Sequence, residues 1–200
     1  DQLDYAIEVG GGAIASVSDC IISNNKGIAS TDGSTSAGII ATTYYGAGTT
    51  ANITGCTLTD NTTGINVGYD NTDVSVVVAN NNKIYSNIEY GIFSTGPAVD
   101  GTNNWWGHAS GPYNDPYNTC GLGNAVAGLV DFMPWWTTSS GTPSTDMLVH
   151  NVTLGTYYCT IQDAIDDAGT GGETIEVGTA TFSEHILINK TSLILKNAAS

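Results

Sequence analysis

The groups able to do chemistry in this 200-residue chain are four cysteines, three histidines, nineteen carboxylates and four lysines; there is no arginine. Cys20, Cys56, Cys120 and Cys159 share none of the C-x-x-C spacing of zinc or dithiol sites. Cys20 and Cys56 stand at matching places of an internal repeat, which predicts neighbours: a buried thiol pair, or a disulfide if stacking brings them within bridging range. Cys120 and Cys159 are predicted to bridge, within one chain or between two. His108, His150 and His185 are isolated and share no ligand spacing. Asp115, Asp131 and the pair Asp166–Asp167 are oxygen donors of the kind Ca²⁺ takes, but no EF-hand or nonapeptide pattern frames them. A solvated acidic face is therefore expected, and no cofactor. Asn52, Asn61, Asn151 and Asn189 each open an N-x-[ST] sequon, which matters only outside the cell. Trp105, Trp106, Tyr113, Tyr117, Trp135 and Trp136 could stack sugars. Rings so concentrated are more readily a plug over an apolar core, or an interface.

Composition narrows the classes. A net charge of −15 leaves little to grip phosphates, so nucleic acid is not an expected partner. Apolar runs fall far short of the ~20 residues of a membrane helix. Forty per cent hydrophobic residues still suffice for a core. Abundant Gly, Ser, Thr and Asn with scarce Lys, no leader segment and no initiator Met suggest a mature extracellular protein.

The elements that must position these residues repeat. Three segments superimpose: 17–28, 53–65 and 80–92. Each has an apolar strand residue (Ile22, Leu58, Ile84), an Asn three positions on (Asn25, Asn61, Asn87), and a Gly-Ile pair (Gly27–Ile28, Gly64–Ile65, Gly91–Ile92). The longer first interval holds an insertion from Gly33 to Gly48, including Tyr44–Tyr45. Short alternating strands broken by Gly and Asn, with no helix between, exclude α/β architectures. A period of about 25 residues fits parallel stacking at ~4.8 Å per turn, the three Asn forming an internal hydrogen-bonded ladder at an αL bend. The chain resembles the right-handed parallel β-helix family, the pectate-lyase-like fold of exported polysaccharide-active and surface proteins. The x-Asn-x(1–3)-Gly-Ile copies, the run Asn103–Pro112 and the segment Tyr157–Lys196 carry the resemblance. It implies an all-β solenoid with one short capping helix. Enzymes of the family use Arg or Lys bases with clustered acidic ligands, or paired carboxylates. No such constellation is visible here, so no enzyme activity is expected, although spacing alone leaves open carboxylates drawn from different turns.

The segment Thr160–Asp163 reads as a capping-box-like helix start, with Ile161, Ala164, Ile165 and Ala168 on one face. Residues 174–177, 185–188 and 192–195 read as strands. In the family such a cap opens the β-helix; here it comes last. The expected organisation is therefore residues 1–136 as closing turns with an aromatic plug, 137–146 as a linker, and 147–200 as a cap helix with first turns. The chain would then begin and end mid-solenoid. Return of the tail to its own first turn needs about 34 Å at ~4.8 Å per turn, against ~33–36 Å for the linker fully stretched. Passing the tail to a neighbour needs no stretching, so a head-to-tail homopolymer is expected. The alternative is a cell-surface glycan-binding or degenerate polysaccharide-active module.

Overall fold

Runs in which every second residue is apolar become strands because one face can then be buried against the next repeat. A computed structural model describes residues 4–27, 36–144, 149–178 and 182–198. The readings made at Ile28, Gly33 and residues 145–148 lie outside them. Residues 1–113 with 121–144 form one compact unit; residues 114–120 with 145–200 form a second.

In the first unit, successive repeats contribute β1 (Tyr5–Val9), β2 (Ile14–Ser18) and β3 (Ile21–Ser23), then β4 (Ala37–Ala41), β5 (Thr50–Thr54) and β6 (Thr57–Thr59). A third gives β7 (Thr63–Val67), β8 (Val76–Asn80) and β9 (Lys83–Tyr85), a fourth β10 (Tyr90–Ser94) and β11 (Val99–Asp100), and a fifth β12 (Val126–Ala127) and β13 (Val130–Asp131). Like strands pair in parallel across repeats, giving the sheets β1-β4-β7-β10-β12, β2-β5-β8-β11-β13 and β3-β6-β9. The register stacks Ile7, Ile39, Ile65 and Ile92 in the first sheet. It stacks Val17, Ile53 and Ala79 in the second, and Ile22, Leu58 and Ile84 in the third. These columns are the core.

The register corrects one copy of the sequence repeat. The partner of Gly64–Ile65 and Gly91–Ile92 is Gly38–Ile39, not Gly27–Ile28, so the presumed insertion contains the repeat strand β4. Close approach dictates the glycine. A Cβ on Gly64 would stand 2.5 Å from the Gly91 carbonyl oxygen and 3.1 Å from Asn87 Nδ2.

The expected linker is also corrected. β14 (Trp135–Trp136) and β15 (Pro143–Ser144) form an antiparallel hairpin. Thr137 N donates to the Thr142 carbonyl and Gly141 N to that of Thr138, so the Ser/Thr/Gly stretch closes a turn instead of running free.

The second unit contains β16 (Val149–Asn151), β17 (Thr156–Tyr158), α1 (Ile161–Asp167), β18 (Thr174–Val177) and β19 (Ile194–Asn197). β16 lies antiparallel to β17 and β18, while β18 and β19 are parallel. Thr160 caps the helix by accepting from Asp163 N at 3.0 Å. Glu184 accepts from Ile161 N at 2.9 Å and Gln162 N at 3.0 Å, where the helix dipole favours a carboxylate. Ile161, Ala164 and Ile165 bury against Val149 and Ile175. The strand expected over 185–188 is absent: Leu187 N donates to Gln162 Oε1 at 2.7 Å, so a side-chain amide replaces a ladder partner. The last strand begins at Ile194 rather than Ser192, because Ser192 turns through φ 60°.

Candidate functional site

The Asn positions form a continuous ladder. Asn25 Nδ2 donates to Asn61 Oδ1 at 2.7 Å, Asn61 Nδ2 to Asn87 Oδ1 at 3.0 Å, and Asn87 Nδ2 to Asn124 Oδ1 at 2.8 Å. The same oxygens accept the backbone N–H of Asn25, Asn61 and Asn87. The αL bend expected at these residues falls one position earlier, on Asn24, Asp60 and Ser86.

The stacking expected of Cys20 and Cys56 is part of a second column, whose Asn82 and Asn104 the sequence reading does not pick out. Cys56 N donates to Asn82 Oδ1 at 2.9 Å and Asn82 N to Asn104 Oδ1 at 2.8 Å, while Cys20 N approaches Cys56 Sγ at 3.5 Å. Its signal was available: Cys20, Cys56 and Asn82 each precede their ladder Asn by five residues. The two thiols thus occupy amide positions of a ladder, and both are free. Burial pushes the Cys56 thiol above its ordinary pKa, which makes it inert. Cys120 and Cys159 form a disulfide inside the second unit of a single chain.

Burial divides the sequons. Asn61 and Asn151 are fully buried, and Asn151 Nδ2 donates to Glu173 Oε2 at 2.7 Å. Neither side chain has room or a free amide for a glycan, which corrects both as acceptors. Asn52 and Asn189 are exposed. The aromatic residues separate too. Trp106 and Trp135 are buried in the closing repeats of the first unit, where Trp106 packs on Gly91 and Trp135 Nε1 donates to the Ala109 carbonyl. Trp105 and Trp136 are half-buried and Tyr113 exposed, while Tyr117 belongs to the second unit. Of the four aspartates considered for Ca²⁺, Asp115, Asp166 and Asp167 belong to the second unit and Asp131 to the first. Asp166 accepts from Gln162 Nε2 and Asp167 from Tyr158 Oη, and Asp131 lies on β13 of the other unit. Burial, and then that Asp167 contact, push the Tyr158 hydroxyl up to about 12. Among the described residues no three His, Cys, Asp or Glu side chains gather as a metal site. His108 is paired with Ser110, and His150 stacks on Tyr157.

What remains open is backbone. Among the described residues no strand pairs with the outer edge of β1, β2 or β3, or with that of β19. Comparison with protein-family models, curated proteins and solved structures finds no match for this chain. The edges must be judged by their own chemistry. Ile7 continues a column whose inner members, Ile39, Ile65 and Ile92, are fully buried, yet it is only half-buried. Leu195 pairs in register with fully buried Ile175 but is 38% exposed, beside exposed Ile186, Leu187, Ile188 and Ile194. Among the described residues neither edge has a strand partner, and each carries one column that ends partly exposed, at Ile7 on β1 and at Leu195 on β19, whereas Val17 and Ile22 end the β2 and β3 columns buried. Such edges recruit further strands unless they are blunted. Polarity makes the two complementary. A parallel continuation of the upstream edge β1–β3 takes a downstream edge, such as β19.

Proposed function

We propose that this chain is an extracellular structural subunit whose repeats wind as a right-handed parallel β-helix and whose copies join head to tail. The upstream edge β1–β3 of one copy receives the downstream edge β19 of another. The observation that carries this reading is that β1 and β19 both lack an outer strand partner among the described residues and end apolar columns partly exposed, at Ile7 and Leu195. Three parallel sheets support the winding, two of them fed by one strand from each of five repeats and the third by one from each of the first three. The Cys120–Cys159 disulfide and the exposed sequons Asn52 and Asn189 support an oxidising, extracellular setting. A contact between unlike edges is heterologous, and a stack that continues along the strand-stacking direction propagates as a filament or array.

Sedimentation velocity of the full chain tests the proposal. Wild-type protein should show species that grow with concentration. Ile194→Lys with Leu195→Lys, both exposed and so compatible with folding, should weaken association at least ~tenfold. A monomer at the highest soluble concentration, or association indifferent to these changes, would overturn it.

A further inference from the structure

Two loops of the first unit expose three tyrosines. Tyr44 and Tyr45 lie between β4 and β5 and Tyr69 between β7 and β8, with 64%, 64% and 45% of their surfaces exposed. Tyr44 meets Tyr45 edge-on at 5.0 Å and Tyr69 at 5.3 Å, with planes 89° and 79° apart. Three exposed rings gathered on one surface are a cost in water unless something covers them.

The support beneath them is rigid. Asp73 is buried, and its carboxylate accepts from Thr42 Oγ1 at 2.9 Å, Thr43 N at 2.8 Å, Tyr69 N at 3.3 Å, Ser75 N at 2.8 Å and Ser75 Oγ at 2.6 Å. Thr42 Oγ1 in turn accepts from Tyr44 N at 3.0 Å. One carboxylate thus fixes both ring-bearing loops from repeats about thirty residues apart, and preorganisation of this kind favours binding because little entropy remains to be lost.

The surroundings define the ligand. Apart from the three tyrosines, Ala47 and Val74, every residue of loops 42–49 and 68–75 is Thr, Ser, Asn, Asp or Gly. Asp70 is exposed, with its Oδ1 held by Thr72 N and Oγ1, and the Tyr69 hydroxyl meets Thr72 Oγ1 at 3.2 Å. Neither loop carries a basic residue, and the chain as a whole bears −15. We infer that Tyr44, Tyr45 and Tyr69 form a binding surface for a neutral polysaccharide. Its C–H ring faces stack on the tyrosines, and its hydroxyls bond to Asp70, Thr72 and the phenolic groups. The local charge repels uronate, sulfated or phosphorylated chains. The rings stand on loops between strands, and the test below reads polysaccharide binding rather than assembly.

Native affinity electrophoresis of the full chain in gels containing laminarin, hydroxyethylcellulose, galactomannan or polygalacturonate reads the binding. At least one neutral polysaccharide should retard the protein and polygalacturonate should not. Tyr44→Ala and Tyr69→Ala should each weaken retardation about tenfold, with thermal melting unchanged because both rings are exposed. Three results would overturn the inference: no retardation by any neutral polymer, retardation unaltered in the Tyr44→Ala/Tyr69→Ala variant, or equal retardation by polygalacturonate. A changed sedimentation of that variant without any polysaccharide would assign the rings to contacts between copies instead, and would also overturn it.

Discussion

Asp73 shows how much of this molecule is decided by single polar groups. Burial alone would raise its pKa, but hydrogen bonds from Ser75, Thr43 and Thr42 outweigh it and hold the carboxyl below its ordinary range. Because the folded value lies below the unfolded one, the stabilisation is complete above the ordinary carboxyl pKa of ~3.9 and is lost as acid reaches the folded value. Urea unfolding followed through that window should show a falling midpoint. Asp73→Ala, which strands the Thr42, Thr43 and Ser75 donors, should cost about 1–3 kcal/mol at neutral pH and flatten the acid dependence. A wild-type profile no steeper than the variant's would count against this role. The sequence gives little hint of Asp73. Asp-Val-Ser resembles any short turn, and the Thr42–Thr43 partner lies in another repeat. Asn61 was misleading in the opposite sense, since a sequon is local whereas the ladder that buries its amide spans four repeats. Asn151 fails as an acceptor for the same reason, its partner Glu173 standing 22 residues away.

The ladder and the glycine column carry the first unit at the scale of its elements. Asn61→Ala would leave Asn25 N and Nδ2 without their acceptor and open space within the stack, at a cost of roughly 2–3 kcal/mol. Gly64→Ala would force a methyl against the Gly91 carbonyl at 2.5 Å, with a strain of about 1–3 kcal/mol. Equilibrium denaturation should place both variants clearly below wild type, whereas Thr59→Ala, on a half-exposed strand position, should remain within ~0.5 kcal/mol. If Gly64→Ala is as mild as Thr59→Ala, the close approach is not what selects glycine. Periodicity in the sequence revealed these elements wherever repeats follow one another closely. It slipped at Gly27–Ile28 because an insertion after Asn25 displaced the true partner to Gly38–Ile39. Helix α1 was legible because its cap and apolar face are local. The strand expected at 185–188 was not there, because Gln162 from the helix satisfies that backbone. Alternation alone does not report such a competitor. Tyr44, Tyr45 and Tyr69 were hidden likewise, being brought together only by stacking of the loops between repeats.

For the whole molecule the governing quantity is charge. Each chain carries −15, and among the described residues one ion pair is present, Lys196 with Glu176 at 2.9 Å. Copies joining through apolar columns and backbone edges must approach against this repulsion, which acts over ~30 Å at 0.01 M salt but only ~8 Å at 0.15 M. Association should therefore strengthen as sodium chloride is raised from low to physiological concentration, and strengthen further in sulfate, which favours apolar burial. Lys196→Gln adds to the net negative charge and frees Glu176 while leaving the β19 backbone intact, so it should weaken assembly at low salt and matter little at high salt. Light scattering across a salt series, on wild type and variant, distinguishes the two accounts of the contact. Growth with salt fits edges held by apolar burial and strand pairing. Dissolution by salt would mean that ion pairs between copies hold the contact, and the complementary edges would lose their place as its cause.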